Sequence, residues 1–119
     1  MYKRHLLGKN GEEDATEYLK KNGYTIIERN FKCKQGEIDI IAKYDEEYIF
    51  IEVKTRQNTK YGRAIDAVNR PKQKHIYYAS EFYIYTHKLE NKYIRFDIIE
   101  VYKNRGKHIN HVKNCEFKI

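Results

Sequence analysis

The sequence predicts an α/β fold in which a central mixed sheet of about five strands is flanked by helices. Two segments place apolar residues at helical spacing, and five shorter segments are rich in Ile, Val, Phe and Tyr and end in polar turns. Their order is helix, three strands, helix and two strands. Because no repeat, linker or low-complexity tract interrupts this order, we expect one domain over residues 1–119.

The amino-terminal half is predicted to contain one helix and three strands. The helix covers residues 2–22, because an apolar stripe that includes Ala15 and Leu19 ends at Gly23, a typical helix stop. The strands of this half cover residues 24–32, 36–43 and 48–54. The last two form a β-hairpin, because only the short polar stretch 44–47 separates them.

The carboxy-terminal half is predicted to contain a polar loop, a second helix and two strands. The helix begins at Pro71, which suits the first helical position, and runs to about Thr86, with Ile76 and Ala79 on its apolar side. The loop covers residues 57–63, and the two strands cover residues 93–102 and about 109–117.

The hairpin fixes which side chains face each other. A turn centred between Asp45 and Glu46 places Asp39 opposite Glu52, and Glu37 opposite Lys54. Strand alternation then puts these four side chains on one face of the hairpin. The other face carries only apolar residues, namely Ile38, Ile40, Ile49, Ile51 and Val53.

Asp39 and Glu52 would thus present two carboxylates side by side. Opposed Cβ atoms in an antiparallel pair lie roughly 5 Å apart, where like charges destabilise the sheet unless a cation neutralises them. Carboxylate oxygens select Mg²⁺ or Mn²⁺, and Mg²⁺ typically takes one or two carboxylates together with water and substrate phosphate. Lys54 would orient the attacking water and offset charge on the phosphate. The pattern predicts metal-dependent phosphodiester cleavage.

The alternative for each residue alone is an ordinary solvated strand face, above all for Glu37 and Lys54. Acids are depleted in β-strands, however, and Asp39 and Glu52 interrupt the most apolar strands at opposed positions. The set therefore favours a functional site, provided that the register holds.

The hairpin also resembles a known nuclease motif. Segments 36–39 (Gly-Glu-Ile-Asp) and 50–56 (Phe-Ile-Glu-Val-Lys-Thr-Arg) resemble the core motif of PD-(D/E)XK nucleases, in the variant carried by the YraN family of bacterial proteins. Further matches run from Gly11-Glu12 to the closing segment 111–117, so the resemblance covers nearly the whole chain. Ile38 stands where the motif usually has Pro, while Asp39 is kept.

This resemblance implies a restriction-endonuclease-like sandwich and a Mg²⁺- or Mn²⁺-dependent endonuclease that hydrolyses DNA with structural or weak sequence selectivity. The implied catalytic residues are Asp39, Glu52 and Lys54. The implied metal ligands are Asp39, Glu52 and the backbone carbonyl of Val53, with Glu12 as a further ligand that acts directly or through water. Taken without the resemblance, Glu12 is equally typical of a solvated acidic helix turn.

Basic residues around the hairpin predict a nucleic-acid-binding rim. The chain has 24 Lys and Arg against 17 Asp and Glu, a net charge of +7, which favours polyanions, and DNA is favoured over RNA. Each of these charges alone is typical of a plain surface residue. The predicted rim consists of Arg56, Lys60, Arg63, Arg70, Lys72, Gln73 and Lys74.

Other conspicuous residues are interpreted as structural. The second helix carries Tyr77, Tyr78, Tyr83 and Tyr85, for which packing is favoured over stacking on bases. An internal ion pair is expected between Arg95 and Asp97, and His108 and His111 are expected on an exposed strand.

The chain has no segment typical of a signal peptide or a membrane span, so we expect a cytoplasmic protein that does not contact a membrane. Cys33 and Cys115 are isolated and are expected to be reduced. Two other functions stay open: a non-catalytic nucleic-acid-binding module, or an adaptor that binds a protein partner through a retained nuclease fold. A homodimer or a protein partner is expected in the nuclease case, because the domain is small.

Overall fold

The computed structural model describes residues 2–57, 62–103 and 108–117, with side chains from residue 11 onward. It confirms the predicted order of elements and adds a short 3₁₀ helix before the second α-helix. The elements are α1 (Tyr2–Lys21), β1 (Thr25–Cys33), β2 (Gly36–Tyr44), β3 (Glu47–Arg56), the 3₁₀ helix (Ala64–Ala67), α2 (Arg70–Thr86), β4 (Tyr93–Tyr102) and β5 (His108–Val112). The fifth strand is shorter than predicted, because it ends at Val112.

The sheet is mixed and has the order β1-β2-β3-β4-β5. Strands β3 and β4 are parallel, and the other neighbours are antiparallel. Helix α2 lies between β3 and β4 in the chain, as a parallel pair requires a long crossover connection. The predicted mixed sheet of five strands is therefore confirmed.

Each helix covers one face of the sheet, so the core has two layers of side chains. On the α1 face, Ala15 and Leu19 pack against the sheet residues Ile40, Ala42, Ile49, Ile51, Ile99 and Val101. On the α2 face, Ile76, Ala79 and Tyr83 pack against Ile38, Ile41, Phe50 and Ile98. A mixed sheet between two helices is the predicted restriction-endonuclease-like sandwich. Neither of the helices that the structure describes is long and apolar enough to cross a membrane.

One face assignment in the hairpin was wrong. Ile38 was predicted to share a face with Ile40, yet it packs in the α2 layer while Ile40 packs in the α1 layer. The described pairing between β2 and β3 stops at Ile40 opposite Ile51, whereas the pairing between β1 and β2 continues to Gly36. Beyond Ile40, β2 therefore follows β1 alone, and the simple alternation across the hairpin no longer applies. For the same reason Glu37 does not pair with Lys54.

Two glycines allow both helices to approach the hairpin closely. Gly36 begins β2 with φ +155, and a Cβ there would lie 2.9 Å from the backbone oxygen of His75 in α2. A Cβ at Gly11 in α1 would overlap the Thr55 hydroxyl in β3. Side chains at these positions would push the helices away from the strands that carry the acids.

Candidate active site

The predicted hairpin register is confirmed from the turn as far as Ile40 opposite Ile51, but the ladder does not extend to the predicted pair of Asp39 and Glu52. Ile40 pairs with Ile51 and Phe50 with Ile41, in the antiparallel register deduced from the turn. Asp39 and Glu52 occupy the next positions beyond the pair formed by Ile40 and Ile51. The two acids are therefore neighbours where β2 begins to leave β3.

Asp39 is fixed by the backbone of the opposite strand. Its Oδ2 accepts a hydrogen bond of 2.8 Å from the backbone N–H of Val53. This bond lies beyond the end of the described ladder between β2 and β3 and points the Asp39 carboxylate towards β3. Val53 therefore reaches the site through its N–H, and the metal-binding role of its carbonyl stays a prediction.

Glu52 is the more buried of the two hairpin acids, with 5% of its surface exposed. Its Oε2 lies 3.7 Å from Lys54 Nζ and 3.9 Å from Lys72 Nζ. Its Oε1 is buried and has no hydrogen-bond partner among the described residues. An acceptor of this kind is costly unless a donor or a cation completes it.

The protonation of Glu52 follows from this environment. Burial, and after it the neighbouring Asp39 carboxylate, raise the pKa of Glu52 to about 8, while Lys72 and Lys54 act in the opposite direction. Without a cation, burial and the Asp39 carboxylate therefore favour the protonated form of Glu52. A strongly raised carboxyl pKa beside a second acid is typical of functional sites.

Glu12 lies at the α1 margin of the site. Burial first and the charge of Asp39 second raise its pKa, and Arg29 acts against both. Arg29 Nη2 lies 3.8 Å from Glu12 Oε1, and its Nη1 donates to Glu13 at 2.7 Å. Glu12 is thus close enough to Asp39 for their charges to interact, in a position that suits the predicted contact through water.

The donor set suits a hard divalent cation. Two carboxylates adjoin, and one buried oxygen of Glu52 has no protein donor among the described residues. Within the described ranges, no three or more His, Cys, Asp or Glu side chains form a complete metal cage. Two carboxylates are what Mg²⁺ ordinarily takes from a protein when water and a substrate phosphate supply the other ligands. Asp39 and Glu52 could therefore hold Mg²⁺ or Mn²⁺.

The predicted basic rim divides into inner and outer residues. Lys72 is inner, because the first turn of α2 brings it to Glu52. That turn is fixed by Asn69, whose side chain accepts from the backbone N–H of Lys72 at 2.9 Å. The helix begins one residue earlier than predicted, at Arg70, which places Pro71 at its second position.

Arg56 and Gln73 are more enclosed than an open rim would suggest. Arg56 is 12% exposed in its side chain, and its Nε donates to Glu100 Oε2 at 3.3 Å. Gln73 is buried, and its Nε2 donates to the backbone oxygen of Val68 at 2.7 Å. Both residues therefore stabilise the structure around the site, whatever they also contact.

The other rim residues lie at the surface or outside the described part. Arg63 is exposed and pairs with Asp66 at 3.3 Å. Arg70 and Lys74 lie on the outer side of α2, where they line a surface cavity. Lys60 lies outside the described residues.

Glu100 is a buried acid on the strand next to the site, and the sequence analysis missed it. Its backbone position in β4 is opposite that of Lys54 in the parallel ladder with β3, and the residue is 1% exposed. Besides Arg56, it accepts from Asn110 Nδ2 at 2.8 Å. The sequence could have indicated Glu100, because it is an acid inside the apolar run of β4 and the strands of a parallel pair are buried on both faces.

A second buried polar network lies under α1. Asp97 accepts from Arg95 Nε at 2.9 Å, from the Asn114 backbone N–H at 2.9 Å, and pairs with His111 Nε2 at 2.6 Å. Tyr18 bonds the other ring nitrogen of His111 at 2.9 Å. The expected pair of Arg95 and Asp97 is confirmed. The exposed position expected for His111 was wrong, because β5 carries its side chain beneath α1, where it is 3% exposed.

The tyrosines of α2 divide between core and surface. Tyr83 is buried in the α2 layer, as expected, but Tyr78 and Tyr85 are exposed. The expected packing in the core or at its rim is therefore confirmed for Tyr83, and Tyr78 packs edge-on against the ring of Tyr77 at the surface. Cys33 and Cys115 are free thiols, as predicted.

Fold and site together define an α/β protein of the restriction-endonuclease-like type, with two acids and two lysines converging on its central hairpin. The model of the uncharacterised protein family UPF0102 matches residues 11–101. The chain belongs to this family, which is the YraN family that its motifs resemble.

Relatives in other bacteria match over most of their length. The chain is 47% identical to a UPF0102 protein of Caldicellulosiruptor saccharolyticus, over 97% of this chain and 99% of the relative. It is 45% identical to one of Caldanaerobacter subterraneus subsp. tengcongensis, over 94% and 95% respectively. It is 47% identical to one of Clostridioides difficile, over 88% and 91%.

Proposed function

We propose that this chain is a Mg²⁺- or Mn²⁺-dependent endonuclease that hydrolyses phosphodiester bonds in DNA, with selectivity for DNA structure more than for sequence. The observation that carries the proposal is the environment of Glu52. Its Oε1 is buried without a donor among the described residues, Asp39 adjoins it, and two ammonium groups lie 3.7 and 3.9 Å from Oε2. A cation and a phosphate group would complete these interactions.

Each residue has a distinct part in this mechanism. Asp39 and Glu52 would hold the cation, which, when bound, supplies Lewis-acid activation of a water molecule and of the scissile phosphate. The N–H of Val53 keeps the Asp39 carboxylate in place for this. Lys54 would donate to the attacking water and hold it in line with phosphorus.

Lys72 would bind a non-bridging phosphate oxygen, because it approaches Glu52 from α2 and not from the strand that carries Lys54. Both ammonium groups offset the negative charge that grows on the phosphate oxygens during attack. In this arrangement Lys54 acts mainly on the rate and Lys72 mainly on substrate binding.

Charge supports DNA as the substrate class. The net charge of +7 favours a polyanion, and lysine and arginine contacts to phosphates carry no direct sequence information. A domain of 119 residues offers little surface for reading base edges. Cleavage would therefore follow the shape of the DNA, and a homodimer or a protein partner would extend the contact.

A cleavage assay tests the proposal. Labelled duplex, single-stranded, flap and four-way-junction DNA are incubated with the wild type in Mg²⁺, in Mn²⁺ or in EDTA. We expect cleavage of at least one structure in Mg²⁺ or Mn²⁺ and none in EDTA. Asp39→Asn should lower the single-turnover rate by at least about 100-fold, because it removes a charged ligand while keeping an acceptor for Val53.

Asp45→Asn is the matched control. Asp45 lies in the hairpin turn with φ +51, a conformation that Asn tolerates, and this variant should cleave like the wild type. Equal rates for the wild type and Asp39→Asn would refute the mechanism. DNA binding without cleavage in either metal would instead favour the non-catalytic module.

A further inference from the structure

The outer face of α2 combines two cations with exposed aromatic rings. Tyr78 is 44% exposed, Phe82 41% and Tyr85 75%, although most large apolar side chains of the described residues are buried. These rings follow Arg70 and Lys74 at intervals of three or four residues, which places all five side chains on one side of the helix. We call this surface the α2 track, made of Arg70, Lys74, Tyr78, Phe82 and Tyr85.

The amino-terminal end of the track contains a cavity. It has a volume of about 410 Å³ and is lined by Arg70, Pro71, Lys74, His75 and Tyr78. This volume is within the range of small-ligand pockets, so it can admit a nucleotide base and its sugar. The lining combines cationic groups for a phosphate with an aromatic ring for a base.

The track begins in the same helical turn that contributes Lys72 to the candidate active site, although Arg70 and Lys72, two residues apart, lie on different sides of the helix. Lys72 lies in the same first turn of α2 as Arg70, and its ammonium group is 3.9 Å from Glu52. From Arg70 to Tyr85 the helix extends about 22 Å, at 1.5 Å per residue. That length suits a strand of several nucleotides, the usual site size of proteins that bind single strands.

We infer that the α2 track binds an unpaired DNA strand that leaves the cleavage site, so that the substrate class is DNA with a single-stranded branch. This inference rests on the proposed nuclease function. Aromatic rings among cations suit an unpaired strand because its bases expose faces for stacking, whereas the bases of a duplex are stacked on each other. Glu81, the acid of α2, lies on the same side of the helix, three residues after Tyr78 and four before Tyr85, so the two cations of the track are at its amino-terminal end.

Binding is measured without cleavage. A fluorescent twelve-nucleotide oligothymidylate is titrated with protein in EDTA, and its anisotropy gives the dissociation constant. Tyr78→Ala and Tyr85→Ala should each weaken binding about tenfold, and the double variant more, because each removes one stacking platform. Tyr78→Phe and Tyr85→Phe keep the rings and should bind like the wild type.

Tyr93→Ala is the matched control, because Tyr93 is 72% exposed but begins β4 outside the track. It should change the affinity less than twofold. In the cleavage assay, the double alanine variant should lose the preference for flap over duplex DNA while its duplex cleavage stays within about threefold of the wild type.

Three outcomes decide the matter. Unchanged oligonucleotide affinity in the double alanine variant would overturn the inference, even if the wild type cleaves DNA. Light scattering gives the oligomeric state of the same variant. If the wild type were a dimer and the variant a monomer with unchanged oligonucleotide affinity, the inference would also be overturned, because the track would then bind a second copy of the chain. Loss of oligonucleotide binding in a protein that cleaves no DNA would support the track and refute only the nuclease function.

Discussion

Lys72 Nζ lies 3.9 Å from Glu52 Oε2, so the first turn of α2 reaches the carboxylate that β3 contributes to the hairpin. Lys54 approaches the same oxygen at 3.7 Å from β3 itself. Two cations from different elements thus converge on one buried acid. This convergence joins the hairpin, the helix and the proposed chemistry.

The two lysines should differ in kinetic effect. Lys54→Met is expected to lower the single-turnover rate by about 100-fold or more, because it removes the group that orients the attacking water. Lys72→Met is expected mainly to raise KM, because it removes a phosphate contact. Rates measured over a range of substrate concentrations in Mn²⁺ separate these effects. The reverse pattern, with a rate loss only in Lys72→Met, would exchange the two roles.

The free energy of unfolding of the metal-free protein should depend on pH through the raised pKa of Glu52. The pKa of Glu52 is raised from its ordinary value of 4.5 to about 8, so the folded protein keeps a proton that the unfolded chain releases. The contribution of this proton is complete below pH 4.5 and is lost as the pH rises through 8. Glu52→Gln removes the titration. The free energy of unfolding of this variant, relative to the wild type, should therefore increase between pH 5 and pH 8.5 by on the order of 3 kcal/mol.

Urea denaturation in EDTA at the two pH values provides this measurement. The diagnostic quantity is how the difference in free energy of unfolding between Glu52→Gln and the wild type changes with pH. The loss of the lysine contacts changes the stability of the variant at both pH values and so does not distinguish them. A difference that is the same at pH 5 and pH 8.5 would mean that Glu52 is ionised in the metal-free protein.

Sequence alone could predict the hairpin because its register depends on local features. The short polar turn at Asp45 and Glu46 separates two apolar strands, so the pairing of the flanking residues follows from counting. The same counting places Asp39 next to Glu52, and it places Lys54 two residues beyond Glu52 on the same strand. The helices and most strand limits were likewise set by stripes and turn residues within each segment.

The remaining features depend on contacts between distant segments. Helical spacing allowed Lys72 or Gln73 to point at the hairpin, but the choice of Lys72 and its contact with Glu52 depend on the crossover of α2 over the sheet. His111 seemed to lie on an exposed strand because nothing local indicates that β5 runs beneath Tyr18. Ile38 changed layers because β2 leaves β3 beyond Ile40, which alternation cannot predict.

The network around Asp97 should contribute strongly to stability. Burial would raise the pKa of Asp97, but hydrogen bonds from His111, Arg95 and Asn114 overcome it and hold the pKa below its ordinary value. Asp97→Ala would leave Arg95 and His111 without their shared carboxylate. We expect a loss of about 3–5 kcal/mol in the free energy of unfolding at pH 7, measured by urea denaturation.

The control for this change is Asp66→Ala, which breaks the exposed pair with Arg63 and should cost at most about 1 kcal/mol. The contribution of Asp97 should also shrink as the pH falls through its lowered pKa, because protonation weakens the ion pair. Similar losses in the two variants would show that the buried network adds little.

The close contact at Gly36 should be sensitive to a single methyl group. Gly36→Ala combines an unfavourable φ of +155 with a Cβ that would lie 2.9 Å from the His75 backbone oxygen. We expect a loss of about 1–3 kcal/mol, measured by thermal or urea unfolding. Gly62→Ala is the control, because its Cβ would lie 3.6 Å from Asp66, an ordinary contact. If both variants were equally stable, the helix would be free to shift away from the hairpin.

Calorimetric titration with Mn²⁺ at pH 7.5 tests whether Asp39 and Glu52 form one cation site. The wild type and Asp45→Asn should bind the ion with equal affinity and release protons, because Glu52 must ionise. Asp39→Asn and Glu52→Gln should each bind at least about tenfold more weakly, because each removes one of only two carboxylate ligands. If both variants bound Mn²⁺ as tightly as the wild type, the two acids would not be the cation site.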